Sequence, residues 1–284
     1  NIDTFVRETD WLPGMTGAQA GRKTAVMALS DIVAKGASPV ATLLSMCVPK
    51  NYNASEAQEI VRGFSQYCIK SNVPFIGGDV GSSTDIVLSG VALGVAPPDG
   101  IVPRGGASDG DIVAVTGDFG LTSTAFRILL QGAQAEEELK SRAIGAAYRP
   151  DIHFGFVSAL AEQGAITSSM DSSDGLGITL NTIAVQSGVS LLIEYLPVAD
   201  GVIYFSRNLG IPEWKFVMEG GEEFILVLTV PEERWNDAFA VAQRMHVPLI
   251  RIGYASSGKG VHYESSEGFI EIPSSGYDNF REWE

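Results

Sequence analysis

A run of turn-forming residues divides the sequence after its first third. Pro97-Pro98-Asp99-Gly100 joins two prolines, which end helices and strands, to an Asp-Gly pair that favours a tight turn. We therefore predict two domains, at residues 1–98 and 99–284. Each part mixes helical periodicity with short β-branched runs, so the predicted fold class is α/β or α+β with two lobes. A chain of 284 residues is long enough to bury a core in each.

Helical and strand-like patterns alternate along both parts. Val26, Leu29 and Val33 recur at helical spacing and predict a helix over 18–35 that ends before Gly36. Ser55, followed three residues later by a glutamine, predicts the capped start of a second helix. The remaining predicted helices are 121–130, 136–147, 153–163, 175–187 and 232–245, and the predicted strands are 40–48, 86–96, 112–116, 189–195, 224–230, 248–254 and 268–272.

The charge of the chain limits its partners. The formal net charge is −15, which argues against a nucleic acid or an anionic membrane surface as partner, because both require clustered Lys and Arg. An anionic small substrate remains compatible, since bound metal ions reverse the local field. No apolar run is long enough to span a bilayer and no signal-peptide pattern opens the sequence, so we expect a cytoplasmic protein.

Cysteine and histidine chemistry is not indicated. Cys47 and Cys68 lie in apolar segments without metal-ligand spacing, which predicts two buried, reduced thiols. The three histidines, His153, His246 and His262, show no ligand spacing either. These observations disfavour a zinc site and a disulfide scaffold.

Two carboxylates stand three residues apart in Asp171-Ser172-Ser173-Asp174-Gly175-Leu176, between an apolar segment and a predicted helix. Asp and Ser are also favoured N-caps, so helix capping is the simpler alternative. One cap needs one such residue, however, and this stretch supplies four polar side chains. Carboxylate oxygens are the ligands that Mg²⁺ prefers. The motif therefore favours a magnesium site over a cap.

Further polar motifs stand at other junctions, each with a simpler alternative. Asp31 lies in a predicted helix with apolar flanks, so an exposed and a buried aspartate are equally compatible. Gly77-Gly78-Asp79 fits an ordinary turn or a backbone nest for an anion. Arg104-Gly105-Gly106-Ala107 fits a surface loop or a phosphate contact. The three acids of Glu219–Phe224 fit a solvated turn or a site. Gly258-Lys259-Gly260 lacks the spacing of a phosphate loop and predicts a hairpin turn.

The order of these motifs along the chain resembles that of a known family. The segments that carry the resemblance are Asp3-Thr4-Phe5-Val6, Gly21-Arg22-Lys23, Ser30–Pro39, Ile76-Gly77-Gly78-Asp79, Arg104-Gly105-Gly106-Ala107, Gly110-Asp111, Asp171–Leu176 and Gly220-Gly221-Glu222-Glu223-Phe224. Together they resemble the thiamine-monophosphate kinase family, in the superfamily of aminoimidazole ribonucleotide synthase and selenophosphate synthetase. No single motif is decisive, but the ordered set spans nearly the whole chain.

The resemblance implies an ATP-dependent transfer of a phosphoryl group to thiamine monophosphate, giving thiamine diphosphate. It implies a homodimer formed through the sheet of the N-terminal lobe, with a C-terminal α/β lobe beside it and ligands in the groove between them. Positioning and Mg²⁺ would carry catalysis, without a dedicated catalytic side chain. On the family pattern the metal ligands are Asp3, Asp31, Asp79, Asp171 and Asp174. The nucleotide contacts are Gly78, Asp79, Arg104 and Ser173, and the substrate contacts are Asp10, Glu222 and Tyr277.

This sequence departs from the family pattern at three places. Asp10 stands where many members have histidine, and Glu223-Phe224 stands where Asp-Tyr is common. The family also carries an acidic, glycine-rich segment before the first strand, which we expect to be missing from the N-terminal domain. Two alternatives therefore stay open: a related ATP-dependent synthase acting on another metabolite, and a non-catalytic protein that binds nucleotide or thiamine phosphate.

Overall fold

The computed structural model describes residues 1–265 and 268–274, and its first lobe is a four-stranded sheet covered by helices. The strand order is β1-β4-β2-β3, with β2 antiparallel to β4 and parallel to β3. The helices α2 and α3 lie side by side on the inner face. The elements are β1 (Ile2–Val6), α1 (Arg7–Asp10), α2 (Gly17–Ala34), β2 (Ser38–Val48), α3 (Ala54–Lys70), β3 (Phe75–Ser82) and β4 (Val87–Val95).

The second lobe is a seven-stranded mixed sheet in the order β11-β10-β7-β9-β5-β8-β6. The two sheets fall on either side of residues 97–100, where a 3₁₀ turn lies, and the α/β class is confirmed. The elements are β5 (Ile112–Val115), α4 (Leu121–Gln131), α5 (Glu137–Tyr148), α6 (Phe156–Glu162), β6 (Ser168–Asp171), α7 (Leu176–Ser187), β7 (Ser190–Ile193), α8 (Val202–Asn208), α9 (Glu213–Met218), β8 (Leu226–Val230), α10 (Trp235–Met245), β9 (Ile250–Ser256), β10 (Gly260–Ser265) and β11 (Gly268–Glu271).

The helix α2 is the central element of the molecule. A capping box between Thr16 and Gln19 begins it, and Gly36, with φ of +74°, follows its end as predicted. Gly21 allows the close approach of α3, since a Cβ there would lie 1.9 Å from the Ile60 carbonyl oxygen. Because α2 also contacts β6 of the second lobe, it can present side chains to both lobes at once.

Two local predictions were wrong. The N-cap of α3 is Asn53 and not Ser55: the Asn53 side chain accepts hydrogen bonds from the backbone N–H and the hydroxyl of Ser55. Asparagine reaches these groups two residues ahead, so the helix starts earlier than the capping-box pattern indicates. Gly258-Lys259-Gly260 is not a hairpin turn, because β7 lies between β9 and β10 in the sheet. The short elements α8 and α9 were also missed.

Gly77-Gly78-Asp79 belongs to the edge strand β3 rather than to a turn. Gly78 is required by close packing, since a Cβ would lie 1.9 Å from the Leu44 carbonyl oxygen. The strands β2, β3 and β4 also carry exposed apolar side chains, at Val40, Ile76, Val80, Leu93 and Val95.

None of the helices in residues 1–265 and 268–274 combines the length and the apolar character needed to cross a membrane.

Candidate active site between the lobes

The carboxylate of Asp171 lies where the two lobes meet. Asp171 ends β6, is 3% exposed and accepts a hydrogen bond from the Ser30 hydroxyl of α2. Burial, and after it the charge of Asp31, raises the pKa of the Asp171 carboxyl to about 6, while the Ser30 hydrogen bond and Arg104 oppose this shift. A buried carboxylate with one hydroxyl donor still has unused acceptor capacity. The position is therefore suited to a cation.

Three more aspartates surround this point. Burial is the main reason that the pKa values of Asp3 and Asp174 are raised, and the charge of Asp31 adds to the effect at both, as it does at Asp171. The mutual repulsion means that all four carboxylates share one region, although they come from β1, α2, β6 and the loop after β6. We call Asp3, Asp31, Asp171 and Asp174 the acidic cluster. The sequence predicted one site for these four residues and Asp79, and the structure brings the four together.

Two cations border the acidic cluster. A terminal nitrogen of Arg104 lies 3.2 Å from Oδ1 of Asp31, and its Nε is buried without a hydrogen-bond partner among the described residues. Lys35 donates from Nζ to the Ser169 carbonyl at 2.8 Å. Burial first, and then the neighbouring charge of Arg104, lowers the pKa of Lys35 to about 8. Arg104 thus stands at the position where a phosphate-binding arginine was predicted.

The loop from Asp171 to Gly175 does not cap α7 by a side chain. The N-cap position is Gly175, with φ of +108° and no side-chain hydrogen bond to the first turn. Instead, Ser172 exchanges hydrogen bonds with the backbone of Ile225, at 3.0 and 3.1 Å. Helix capping is therefore wrong as the explanation of this motif, because none of its side chains caps the first turn of α7.

The segment of residues 219–225, which we call the Glu222 segment, lies directly against this loop. The backbone N–H of Glu222 donates to the Ser173 carbonyl at 2.6 Å, and the Thr122 hydroxyl donates to the Gly221 carbonyl at 2.7 Å. Glu222 and Phe224 both adopt left-handed conformations, with φ of +63° and +54°. Non-glycine residues hold such φ values only where their surroundings enforce them. The segment is therefore a fixed structure and not a solvated turn.

A lysine from α2 reaches the Glu222 segment. Lys23 is fully buried, and its Nζ lies 2.6 Å from Oε1 of Glu222. The angles do not satisfy a hydrogen bond, so the contact is electrostatic rather than directional. The sequence placed Lys23 in a family segment but gave it no role. The helical spacing could have indicated a role in the site, because Lys23 lies seven residues before Ser30 and therefore on the same helix face.

Glu223 has a different environment from its neighbour. Its Oε1 accepts hydrogen bonds from the backbone N–H of Gly120 at 2.7 Å and from the Thr122 hydroxyl at 2.9 Å, at the start of α4. Burial nevertheless raises the pKa of Glu223 to about 7. This carboxylate caps a helix that is a hundred residues away in sequence, which local patterns could not indicate.

The other predicted site residues lie elsewhere. Oδ2 of Asp10 accepts a hydrogen bond from the backbone N–H of Val6 at 2.6 Å, and the Asp10 charge contributes to the raised pKa of Asp3. Gly78 and Asp79 are exposed on β3. Tyr277 lies outside the described residues.

Asp79 and Asp3 occupy opposite faces of the first sheet. Asp79 pairs with Ser45, between Leu44 and Met46, whose side chains are buried against the helices. Side chains alternate along a strand, so Asp79 lies on the outer face. Asp3 pairs with Gly90, which faces α2. A single chain therefore does not bring Asp79 to the acidic cluster.

The acidic cluster offers only carboxylate oxygens as ligands for a divalent metal. Within the described part of the chain, no three His, Cys, Asp or Glu side chains are close enough to form a ready metal cage. Mg²⁺ does not require one, because it keeps several waters and is bound by one or two carboxylates together with substrate phosphates. The donors are oxygen only and their mutual repulsion favours a cation. The residues present therefore fit Mg²⁺.

Comparison with known proteins first defines the class. Residues 1–96 match the family described as AIR synthase related protein, N-terminal domain. A crystal structure of thiamine monophosphate kinase from Aquifex aeolicus superimposes with a TM-score of 0.82 and 26% identity, covering 93% of this chain and 86% of that one. The fold is therefore that of the AIR synthase superfamily.

Closer relatives define the family. The thiamine-monophosphate kinase of Nitrosopumilus maritimus is 33% identical over 279 residues, which is 98% of this chain and 88% of the relative. The chain belongs to the thiamine-monophosphate kinase family. A structure of AaThiL complexed with AMPPCP and TMP covers 95% of this chain and 85% of that chain, with 25% identity and a TM-score of 0.80.

Proposed function

We propose that this protein transfers the γ-phosphoryl group of ATP to the phosphate of thiamine monophosphate. A phosphate oxygen of the acceptor forms a bond to the γ-phosphorus, and the bond from that phosphorus to the β–γ bridging oxygen breaks. The products are ADP and thiamine diphosphate. The acceptor oxygen is already anionic near neutral pH, so the transfer needs no protein base.

The observation that carries the proposal is the contact between the acidic cluster and the Glu222 segment. The acidic cluster, bordered by Arg104, lies beside the Glu222 segment, and the bond from the Glu222 N–H to the Ser173 carbonyl joins them. Donor and acceptor are both polyanions, so their approach requires cations on one side and a fixed recognition surface on the other. We assign the acidic cluster and Arg104 to the phosphates, and Glu222 to the thiamine moiety.

We assign Mg²⁺ to the acidic cluster, with Asp171 and Asp31 as its central ligands and Asp3 and Asp174 beside them. When bound there, Mg²⁺ would neutralise phosphate charge and favour the developing charge of the transition state. The protein's own part is to hold these carboxylates together across the lobe boundary and to keep Arg104 next to Asp31, 3.2 Å away, where it can reach a phosphate.

We propose a homodimer formed through the first sheet. Support comes from the exposed apolar side chains of β2, β3 and β4, which include Ile76, Leu93 and Val95. Such a contact would cover the face on which Asp79 lies, and Asp79 would then serve the phosphate site of the second copy. A cytoplasmic location and the two-domain division at residues 98 and 99 stay predictions from the sequence.

The experiment that tests the function is product analysis. The purified protein, incubated with ATP, Mg²⁺ and thiamine monophosphate, is expected to yield ADP and thiamine diphosphate in equal amounts, separated by ion-pair chromatography. The same mixture with excess EDTA is expected to yield neither. ADP without thiamine diphosphate, or no ADP at all with Mg²⁺ present, would contradict the proposal.

A further inference from the structure

Lys23 is the one lysine among the described residues whose side chain is wholly buried, and the other buried residues of α2 are uncharged. A buried ammonium is costly unless it is paired. Its partner is Oε1 of Glu222 at 2.6 Å, and the ring of Phe5 lies on another side, with its centroid 5.8 Å from Nζ. The burial of Lys23 is therefore offset by its contact with Glu222, which is a proposed substrate-binding group.

The ion pair with Lys23 leaves part of the Glu222 carboxylate available to a ligand. The ammonium lies at one carboxylate oxygen, and a quarter of the Glu222 side chain remains exposed. A carboxylate accepts up to about four hydrogen bonds, so Glu222 can bind Lys23 and a ligand donor together. The backbone of Glu222 is left-handed, with φ of +63°, so the surrounding structure fixes the conformation of this residue.

The same face of α2 also contacts the acidic cluster. Ser30 lies seven residues after Lys23, which is two helical turns or about 10 Å along the axis, and its hydroxyl binds Asp171. One rigid helix thus contacts Glu222 with one side chain and Asp171 with another. That spacing is on the scale of a two-ring organic phosphate.

We infer that Lys23 is a positioning residue for the acceptor. It fixes Glu222 relative to Asp171, and thereby sets how the ring system of the acceptor is held while its phosphate lies at the acidic cluster. The inference rests on the proposed function, since it gives a role to a residue that acts through Glu222 and touches neither substrate itself.

The test is steady-state kinetics on K23M, E222Q and the double variant, with K23R as the conservative change. K23M is expected to raise KM for thiamine monophosphate at least about tenfold while KM for ATP changes less than about twofold. K23R, which keeps the charge, is expected to recover most of this loss. In the E222Q background, K23M is expected to add no more than about a twofold increase.

Arg22→Met provides the matched control. Arg22 directly precedes Lys23 in α2. Its Nη2 lies 3.3 Å from Oδ2 of Asp151 and its guanidinium donates to the Pro150 carbonyl, so it also joins the helix to the rest of the chain. R22M is expected to lower the unfolding midpoint without changing KM for thiamine monophosphate. A purely structural role for Lys23 would make K23M behave in the same way.

Two results would overturn the inference: a wild-type KM for thiamine monophosphate in K23M, or an equal rise in KM with and without the Glu222 carboxylate. Should K23M not fold, the double variant removes both charges of the pair, and its KM compared with that of E222Q carries the test. Wild-type protein that neither binds nor phosphorylates thiamine monophosphate would refute the proposed function first, and the inference with it.

Discussion

The acidic cluster and the Glu222 segment differ in how their charges are balanced. In the acidic cluster, Asp3, Asp171 and Asp174 have raised pKa values, first because they are buried and then because Asp31 is near. In the Glu222 segment, Glu222 faces Lys23 and Glu223 accepts hydrogen bonds at the start of α4. The acidic cluster has four carboxylates but only two neighbouring cations, Arg104 and Lys35, whereas Glu222 is paired within the protein by Lys23. The difference indicates that cations arrive with the phosphates, whereas the recognition surface is formed before any ligand binds.

The largest effect is expected from Asp171→Asn. Loss of one charged group that acts on the transition state lowers kcat by about 10²–10³. Asparagine keeps the size of the side chain and can still accept from the Ser30 hydroxyl. The urea midpoint should therefore stay close to that of the wild type, as measured by circular dichroism.

Asp111→Asn is the control for that variant. Asp111 is also buried, but it accepts hydrogen bonds from Ser108 and Thr167, away from the cleft. D111N is expected to lose stability and keep kcat. If D171N instead turned over at nearly the wild-type rate, Asp171 would have no place among the metal ligands.

An intermediate effect is expected when two inactive variants are combined. D79N and D171N, co-expressed with different tags and purified on both, form dimers with one chain of each kind. If Asp79 serves the site of the second copy, one of the two sites is intact and activity returns to about half of the wild-type value. If Asp79 acts within its own chain, both sites are damaged and no activity returns.

The smallest effect concerns the pH dependence of stability at Glu223. The fold raises the pKa of this group from 4.5 to about 7, so the folded state holds a proton that the unfolded chain releases. Its contribution to the free energy of unfolding is therefore full below pH 4.5 and is lost as pH rises through 7. Between pH 5 and 8, wild-type protein should lose on the order of 1–3 kcal/mol relative to E223Q.

Urea unfolding at several pH values measures this difference, with the exposed Glu233→Gln as control. Parallel curves for wild type and E223Q would show that Glu223 is ionised in the folded state across this range. The hydrogen bonds from the start of α4 would then outweigh the effect of burial on Glu223.

Local patterns predicted most of the elements. The helix α2 agrees with the predicted 18–35 within one residue, and the apolar run at 224–230 contains β8. These two predictions succeed because helical periodicity and β-branched runs reflect burial, and both patterns can be read from neighbouring residues alone. The same patterns failed at Ser55 and at Gly258-Lys259-Gly260. There, a competing cap and the insertion of β7 between two strands decided the outcome.

The sequence by itself determined the class and the family, because the motif order and the residue types are properties of the chain alone. It also predicted that five aspartates converge, of which the structure brings four together. Only the tertiary structure placed Asp79 on the opposite sheet face, buried Lys23 against Glu222 and made Glu223 the cap of a distant helix. The first depends on strand pairing within the first lobe, the second on packing across the lobe boundary, and the third on packing within the second lobe. The energy of a buried charge is set by its spatial neighbours, which the order of residues does not reveal.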